Sequence, residues 1–137
     1  MNYTKMDPNL PDLEYHSEGA AGLDLCAAAP INILGLTSEI IPTGINCEIP
    51  EGHFGLVTIR SGLGFNHSLA THVGIIDSDY RGELKVKIYN HSTHPVQIKR
   101  YQRIANFVIV PCTQVQPVLV AELEQTNRGA AGFGSTG

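Results

Sequence analysis

The sequence predicts an all-β domain, on three observations. After Gly82, the residues Leu84, Val86 and Ile88 alternate with Glu83, Lys85 and Lys87, the period-two pattern of a strand with one apolar face. Between residues 31 and 59, short β-like runs are separated by turn formers: Gly35 and Thr37, then Pro42-Thr43-Gly44, then Pro50-Glu51-Gly52. Helical periodicity is nowhere convincing. At 137 residues the chain fits one domain, with enough apolar sequence for a core and little margin for a second.

Composition removes several classes of function. There is no run of about 18 apolar residues, and Met1-Asn2-Tyr3-Thr4-Lys5 leads into no hydrophobic signal region. The expectation is therefore a soluble, cytoplasmic protein, or one acting inside a host if the source is viral, with no membrane partner. Cys26, Cys47 and Cys112 are odd in number and widely spaced, which reads as reduced thiols rather than a disulfide framework or paired zinc ligands. A net charge of -4 without a basic cluster argues against a nucleic-acid backbone surface, whereas a few arginines can still hold a small anion locally.

Taken in order, residues 1–17 are poorly patterned and interrupted by Pro8 and Pro11, an irregular or edge segment that wraps the surface. In Gly19-Ala20-Ala21-Gly22-Leu23-Asp24-Leu25-Cys26, small residues surround one acid. Asp24, between leucines, reads first as an outward-pointing strand residue. The strand Phe54-Gly55-Leu56-Val57-Thr58-Ile59 runs into Arg60-Ser61-Gly62-Leu63-Gly64, where a guanidinium, a hydroxyl and flexible backbone can form an anion cradle or simply a turn.

Chemistry is densest in Gly74-Ile75-Ile76-Asp77-Ser78-Asp79-Tyr80-Arg81-Gly82-Glu83-Leu84-Lys85-Val86, read as a β-hairpin with a functional rim. Asp77, Ser78 and Asp79 are also ordinary turn formers. Ile75 and Ile76 lead directly into Asp77, however, which favours a carboxylate at the edge of buried structure. His91 and His94 lie in a loop closed by Pro95, with no helix to align their rings and no third strong ligand, so they read as solvated turn residues. Residues 104–111 are almost continuously apolar, a strand buried on both faces, one of them available to another subunit. Residues 115–123 give a further β-like run, placed partly at an edge by Pro117. The chain ends in Asn127-Arg128-Gly129-Ala130-Ala131-Gly132-Phe133-Gly134-Ser135-Thr136-Gly137, whose glycine content reads as a mobile tail. An aromatic flanked by glycines can lie on a planar ring, while Arg128 and two hydroxyls supply donors to phosphates.

Five of these segments, Ala20-Ala21-Gly22-Leu23-Asp24-Leu25, Arg60-Ser61-Gly62-Leu63, Gly74 through Gly82, Arg103-Ile104-Ala105-Asn106 and Arg128 through Gly137, stand in the order of the five motifs of trimeric deoxyuridine triphosphate nucleotidohydrolases. The chain resembles that dUTPase family over residues 20–137. The resemblance implies a jelly-roll-like β-barrel and a homotrimer whose active sites are shared. Residues 1–127 would form the β domain, and 128–137 a tail closing over a neighbouring site.

It also implies an activity: hydrolysis of dUTP to dUMP and pyrophosphate, which limits uracil in DNA and supplies dUMP for dTMP synthesis. Asp77 stands at the position of the base that activates water, and Asp24 at that of the acid holding Mg2+ indirectly, through water. Arg60, Ser61 and Gly62 would meet the α- and β-phosphates. Tyr80 would pack on the deoxyribose and exclude a 2′-hydroxyl. Backbone around Gly74 and Ile76 would pair with uracil, with Thr71 and Lys85 among the substrate-binding positions. Arg128, Ser135 and Thr136 would cover the γ-phosphate, Phe133 would stack on uracil, and Gly134 would admit backbone amides.

Two positions depart from the family pattern. Asn106 stands where a glutamine is usual, one methylene shorter, so its phosphate contact is lost or made through water. Thr71 stands where many members have a base-binding asparagine, which shifts uracil recognition toward backbone groups. The same fold serves dCTP deaminases, but those use a glutamate on the following strand. Here that position is Lys87, which cannot accept a proton at neutral pH.

Overall fold

The computed structural model describes residues 1–132. Eleven strands and one short helix follow in the order β1 (Tyr3–Lys5), β2 (Leu23–Cys26), β3 (Ile31–Ile33), β4 (Ser38–Pro42), β5 (Ile45–Cys47), β6 (His53–Ile59), α1 (Ser61–His67), β7 (Leu69–Thr71), β8 (Gly74–Ile76), β9 (Lys85–Asn90), β10 (Val96–Ile98) and β11 (Arg103–Pro111). No helix among the described residues is long and apolar enough to cross a membrane.

The pairings are antiparallel and nested. β2 pairs with β11, β3 with β10 and β4 with β9, as though one long hairpin had been rolled up on itself. That is the jelly-roll arrangement, and the fold is all-β as expected. The larger sheets run β2-β11-β6-β8 and β4-β9-β7. Their inner faces meet in one core that includes Leu25, Ile41, Val86, Ile88, Ile104 and Phe107, each at most 1% exposed. Alternation along β9 matches the sequence pattern: Val86 and Ile88 are buried, Lys85 and Lys87 exposed. Gly55 on β6 leaves room for the ring of Phe107, which a Cβ at that position would strike. Met6 and Leu10 tie the N-terminal segment across the surface, with Met6 N–H donating to the Gly44 carbonyl at 2.8 Å and Leu10 3% exposed.

Four expectations need correction. The segment from Gly74 to Val86 is not a hairpin, because its two arms join different sheets. β8 adds to the edge of β6, with Ile76 opposite Gly55 and Gly74 opposite Val57, while β9 pairs with β4 and β7. A methyl at Gly74 would lie in ordinary contact with Val57, at 3.4 Å, so this pairing does not depend on the glycine. Secondly, Arg60 opens a helix. It is the N-cap of α1, and Ser68 closes the helix in the left-handed region at φ 54°. Two glycines and a single buried residue, Leu63, leave α1 no legible periodicity. Thirdly, residues 115–123 form no strand. Val115, Val118, Leu119 and Leu123 are 76–99% exposed, an apolar segment that pairs with no strand among the described residues. Finally, of the two isoleucines leading into Asp77 only Ile76 packs against the core, while Ile75 is 64% exposed, so the buried structure before Asp77 is one residue and not two.

Candidate active site

The best-built cluster of charge lies where β2, the end of β6 and the start of β11 converge. Asp24 and Asn106 are cross-strand partners, and Asn106 also faces Thr58, so the three share one row on the side of the sheet opposite Phe107, Leu23 and Val57. Asp24 is only 11% exposed, and it does not point freely outward. One carboxylate oxygen pairs with Arg60 Nε at 3.2 Å; the other accepts from Arg103 Nη1 at 3.0 Å. Both arginines stay about one-third exposed, 32% and 35%, so each guanidinium keeps donors free for a further anion. Arg60 is fixed from behind by its own N–H, which donates to the Ile104 carbonyl at 3.2 Å. A recess of about 520 Å³ opens here, lined by Arg60, Gly62, Leu63, Asn66, His67, Tyr101, Gln102 and Arg103. Ser61 and Gly62 stand exposed at the first two positions of α1. The arrangement can bind a polyanion. Nearby, burial and the Asp24 charge push the Cys26 thiol up, against the pull of the two arginines, which makes it a poor nucleophile.

Asp77 belongs to a second cluster. It follows β8 at the other end of β6, exposed, in a recess of about 470 Å³ shared with Glu51, His53, Phe54, Asp79, Cys112 and Gln114. The loop is tied mostly to itself. Tyr80 N–H donates to the Asp77 carbonyl at 3.2 Å, and Arg81 Nη1 donates to the Ser78 and Tyr80 carbonyls at 2.8 and 3.0 Å. The Tyr80 hydroxyl donates to the Glu83 carbonyl at 3.1 Å. Lys85 approaches Glu83 at 3.7 Å. Thr71 spends its hydroxyl on backbone, donating to the Lys87 carbonyl at 2.7 Å. Lys87 itself faces solvent and lies over the Tyr89 ring, 5.2 Å from its centroid.

Within one chain the two clusters do not meet. The register of β8 on β6 puts Asp77 level with Phe54, and Arg60 lies six residues further along the same strand, a span of roughly 20 Å. A phosphate held by Arg60 is out of reach of Asp77 of the same subunit. Arg128 lies in a turn, its Nε donating to the Ala131 carbonyl at 2.9 Å. Phe133, Gly134, Ser135 and Thr136 lie outside the described residues. Arg103 opens the fourth motif segment but was not singled out as a site residue, although that motif membership was the signal that could have found it. No group of three or more His, Cys, Asp or Glu side chains among the described residues could by itself hold a metal ion.

Comparison with known proteins places this geometry. Residues 9–137 match the family model for dUTPase. The deoxyuridine 5'-triphosphate nucleotidohydrolase of Anaeromyxobacter is 46% identical over 132 residues, covering 93% of this chain and 90% of that protein. That of Rhizobium johnstonii is 46% identical over 129 residues, covering 90% and 83%. The solved structure of the Staphylococcus bacteriophage 80alpha dUTPase with dUPNHPP superposes with a TM-score of 0.92 at 27% identity, over 99% of this chain and 97% of that one. A nested β-roll carrying the five motifs in order thus agrees with sequence likeness along nearly the whole chain, and the chain belongs to the dUTPase family.

Proposed function

We propose that the chain hydrolyses dUTP to dUMP and pyrophosphate in a site shared between the subunits of a homotrimer, with Asp77 of one subunit serving the arginine corner of another. The separation of Asp77 and Arg60 along β6 carries this reading, because each chain holds both halves of a site but holds them apart. The exposed apolar residues Val115, Val118, Leu119 and Leu123 support it. A second copy would cover them.

Asp77 is the general base, removing a proton from water as it attacks the α-phosphorus. Arg60, with Ser61 and Gly62, meets the α- and β-phosphates as charge shifts toward the leaving pyrophosphate. Tyr80 forms the floor under the deoxyribose, and a 2′-hydroxyl would collide with it. Uracil pairs with backbone groups of β8, the last strand of its sheet, whose outer edge has no strand partner among the described residues. Thr71, committed to the Lys87 carbonyl, leaves that task to the backbone of Gly74 and Ile76. Asn106 reaches phosphate through water, and Lys85 stands at the margin. The tail, with Arg128, Phe133, Gly134, Ser135 and Thr136, closes over a neighbouring site.

The donor set is also compatible with Mg2+, on one condition. Asp24 has both oxygens paired with arginine, so the corner suits an ion carried in by the triphosphate and touched through water, not one resident on the protein. When bound, such an ion neutralises phosphate charge and fixes the chain of oxygens in one geometry. The product dUMP then serves dTMP synthesis, and removal of dUTP limits uracil in DNA.

Sharing can be tested by mixing two inactive variants. Asp77→Asn and Arg60→Gln, unfolded and refolded together, should regain pyrophosphate release from dUTP to about one-quarter of the wild-type level, because random assembly of equal chains leaves one site in four with both intact groups. If the mixture stays as inactive as its parents, each chain works with its own Asp77 and the shared site is wrong.

A further inference from the structure

Tyr80 sits on a loop tied mostly to itself, yet its ring has a defined seat. Gly82 lies against that ring. A methyl at Gly82 would stand 2.5 Å from Tyr80 Cζ and 2.9 Å from Cε2, and closer still to the hydroxyl. Backbone geometry does not explain the glycine, since Gly82 is not among the glycines with positive φ, which among the described residues are Gly44, Gly52 and Gly129. The ring fills the space that a Cβ would take, and being 45% exposed it is the ring that would move. On its far side the hydroxyl is held by the Glu83 carbonyl at 3.1 Å.

Glu83 is itself anchored at a distance. Its Oε1 accepts from the Gly44 N–H at 2.9 Å, in the turn between β4 and β5, and its side chain is only 19% exposed. The next residue, Leu84, is 1% exposed, and its carbonyl accepts from the Thr43 hydroxyl at 2.7 Å. So the ring is held within its own loop by the Glu83 carbonyl, and that residue is in turn anchored through its side chain to the turn between β4 and β5, 39 residues away in sequence.

We propose that Gly82 and Glu83 are positioning residues that set the height of the Tyr80 ring, and thereby the discrimination between a deoxyribose and a ribose nucleotide. This rests on the reading of Tyr80 as the floor under the sugar. Neither residue touches substrate; each acts through the ring. A methyl at Gly82 lifts the ring or tips it aside, which opens or blocks the space beside the 2′-carbon. Loss of the Glu83 carboxylate frees the turn contact and lets the carbonyl under the hydroxyl drift.

The test is a double-mutant cycle read as the ratio of kcat/KM for dUTP over UTP. Gly82→Ala should lower that ratio by about 10- to 100-fold, the usual consequence of misplacing a positioning group by an ångström. Tyr80→Ala should lower it as well, and adding Gly82→Ala to Tyr80→Ala should change it no further, since the clash then has no partner. Glu83→Ala should lower it less, and this variant carries the test if Gly82→Ala does not fold. If Tyr80→Ala destroys discrimination while Gly82→Ala and Glu83→Ala preserve it, the positioning proposal is overturned and the reading of Tyr80 stands. If Tyr80→Ala itself leaves the ratio unchanged, the sugar floor is misassigned and the proposal falls with it.

Discussion

The two ends of β6 are built on different plans. At the Ile59 end, Asp24 draws Arg60 and Arg103 together from three strands, so the anion-binding corner is assembled by the fold of a single chain. At the His53 end, Asp77 and Asp79 stand exposed on a loop whose bonds mostly reach no further than three residues. The corner is finished in advance and the proposed base is displayed. That difference has a physical logic. Guanidinium groups bind phosphate best when their direction is already fixed, because ordering them at the moment of binding costs side-chain entropy. Under the proposed sharing of sites, a base that serves another subunit has to protrude from its own.

The sharpest way to break the comparison is Asp77→Asn. Its side chain makes no hydrogen bond among the described residues, so the substitution should leave melting temperature and nucleotide affinity unchanged while turnover falls by about 10² to 10⁴, the contribution of a general base. Turnover close to wild type would remove Asp77 from the chemistry. Asp24→Asn should behave in the opposite sense, with a smaller effect on rate and a real one on stability. Two partly buried arginines would lose their counter-charge, costing about 1–3 kcal/mol in thermal unfolding, and kcat/KM for dUTP should drop by about 10- to 100-fold as the corner loosens. A melting curve identical to wild type would mean that the ion pairs do not hold the corner, and the contrast between the two ends would dissolve.

How much of this was legible in the sequence follows the same division. The alternation of Val86 and Ile88 with lysines, and the apolar run of β11, announced strands because a sheet with one or two buried faces leaves a direct imprint on side-chain choice. Asp77 was singled out by the density of chemistry in its own turn, and Asp24 only by motif order, which a chain records explicitly. The partner of β8 was not recorded: three residues carry no signal saying whether they pair with the next strand or with β6. Nor could the apolar run at residues 115–123 reveal that it has no strand partner among the described residues, since the composition of a strand is the same whichever molecule it pairs with. Arg103 stood in the fourth motif, but its meeting with Asp24 was not legible, because it depends on an irregularity in register between Arg103 and Ala105, a local detail that no residue pattern encodes.

The smallest effect concerns what stands behind the corner, and it sharpens the comparison by pH. Asp7, on the N-terminal segment, pairs with Arg100 Nη2 at 2.7 Å and accepts from the Tyr101 hydroxyl at 3.0 Å. Tyr101 lines the same recess as Arg60 and Arg103. The Asn9 N–H, then the Tyr101 hydroxyl, with Arg100 adding to them, hold the Asp7 carboxyl below its ordinary value, while desolvation, then the bond to Asp7, pushes the Tyr101 phenol up. A carboxyl lowered on folding stabilises the native state above its unfolded pKa and loses that contribution as pH falls through the folded one. A phenol raised on folding does the reverse, stabilising below its unfolded pKa and failing as pH rises through the folded one. The clamp should therefore open at both extremes and stay shut between them. Hydrogen exchange followed at neutral pH and then below the ordinary carboxylate range should show amides around Lys99 to Arg103 losing protection on acidification, while amides of the Asp77 loop, which has no such clamp, change little. In Asp7→Asn the amides around Lys99 to Arg103 should exchange faster already at neutral pH and no longer respond to acid. If acid loosened the Asp77 loop first, the corner would owe nothing to Asp7, and its preorganisation would rest on the Asp24 pairs alone.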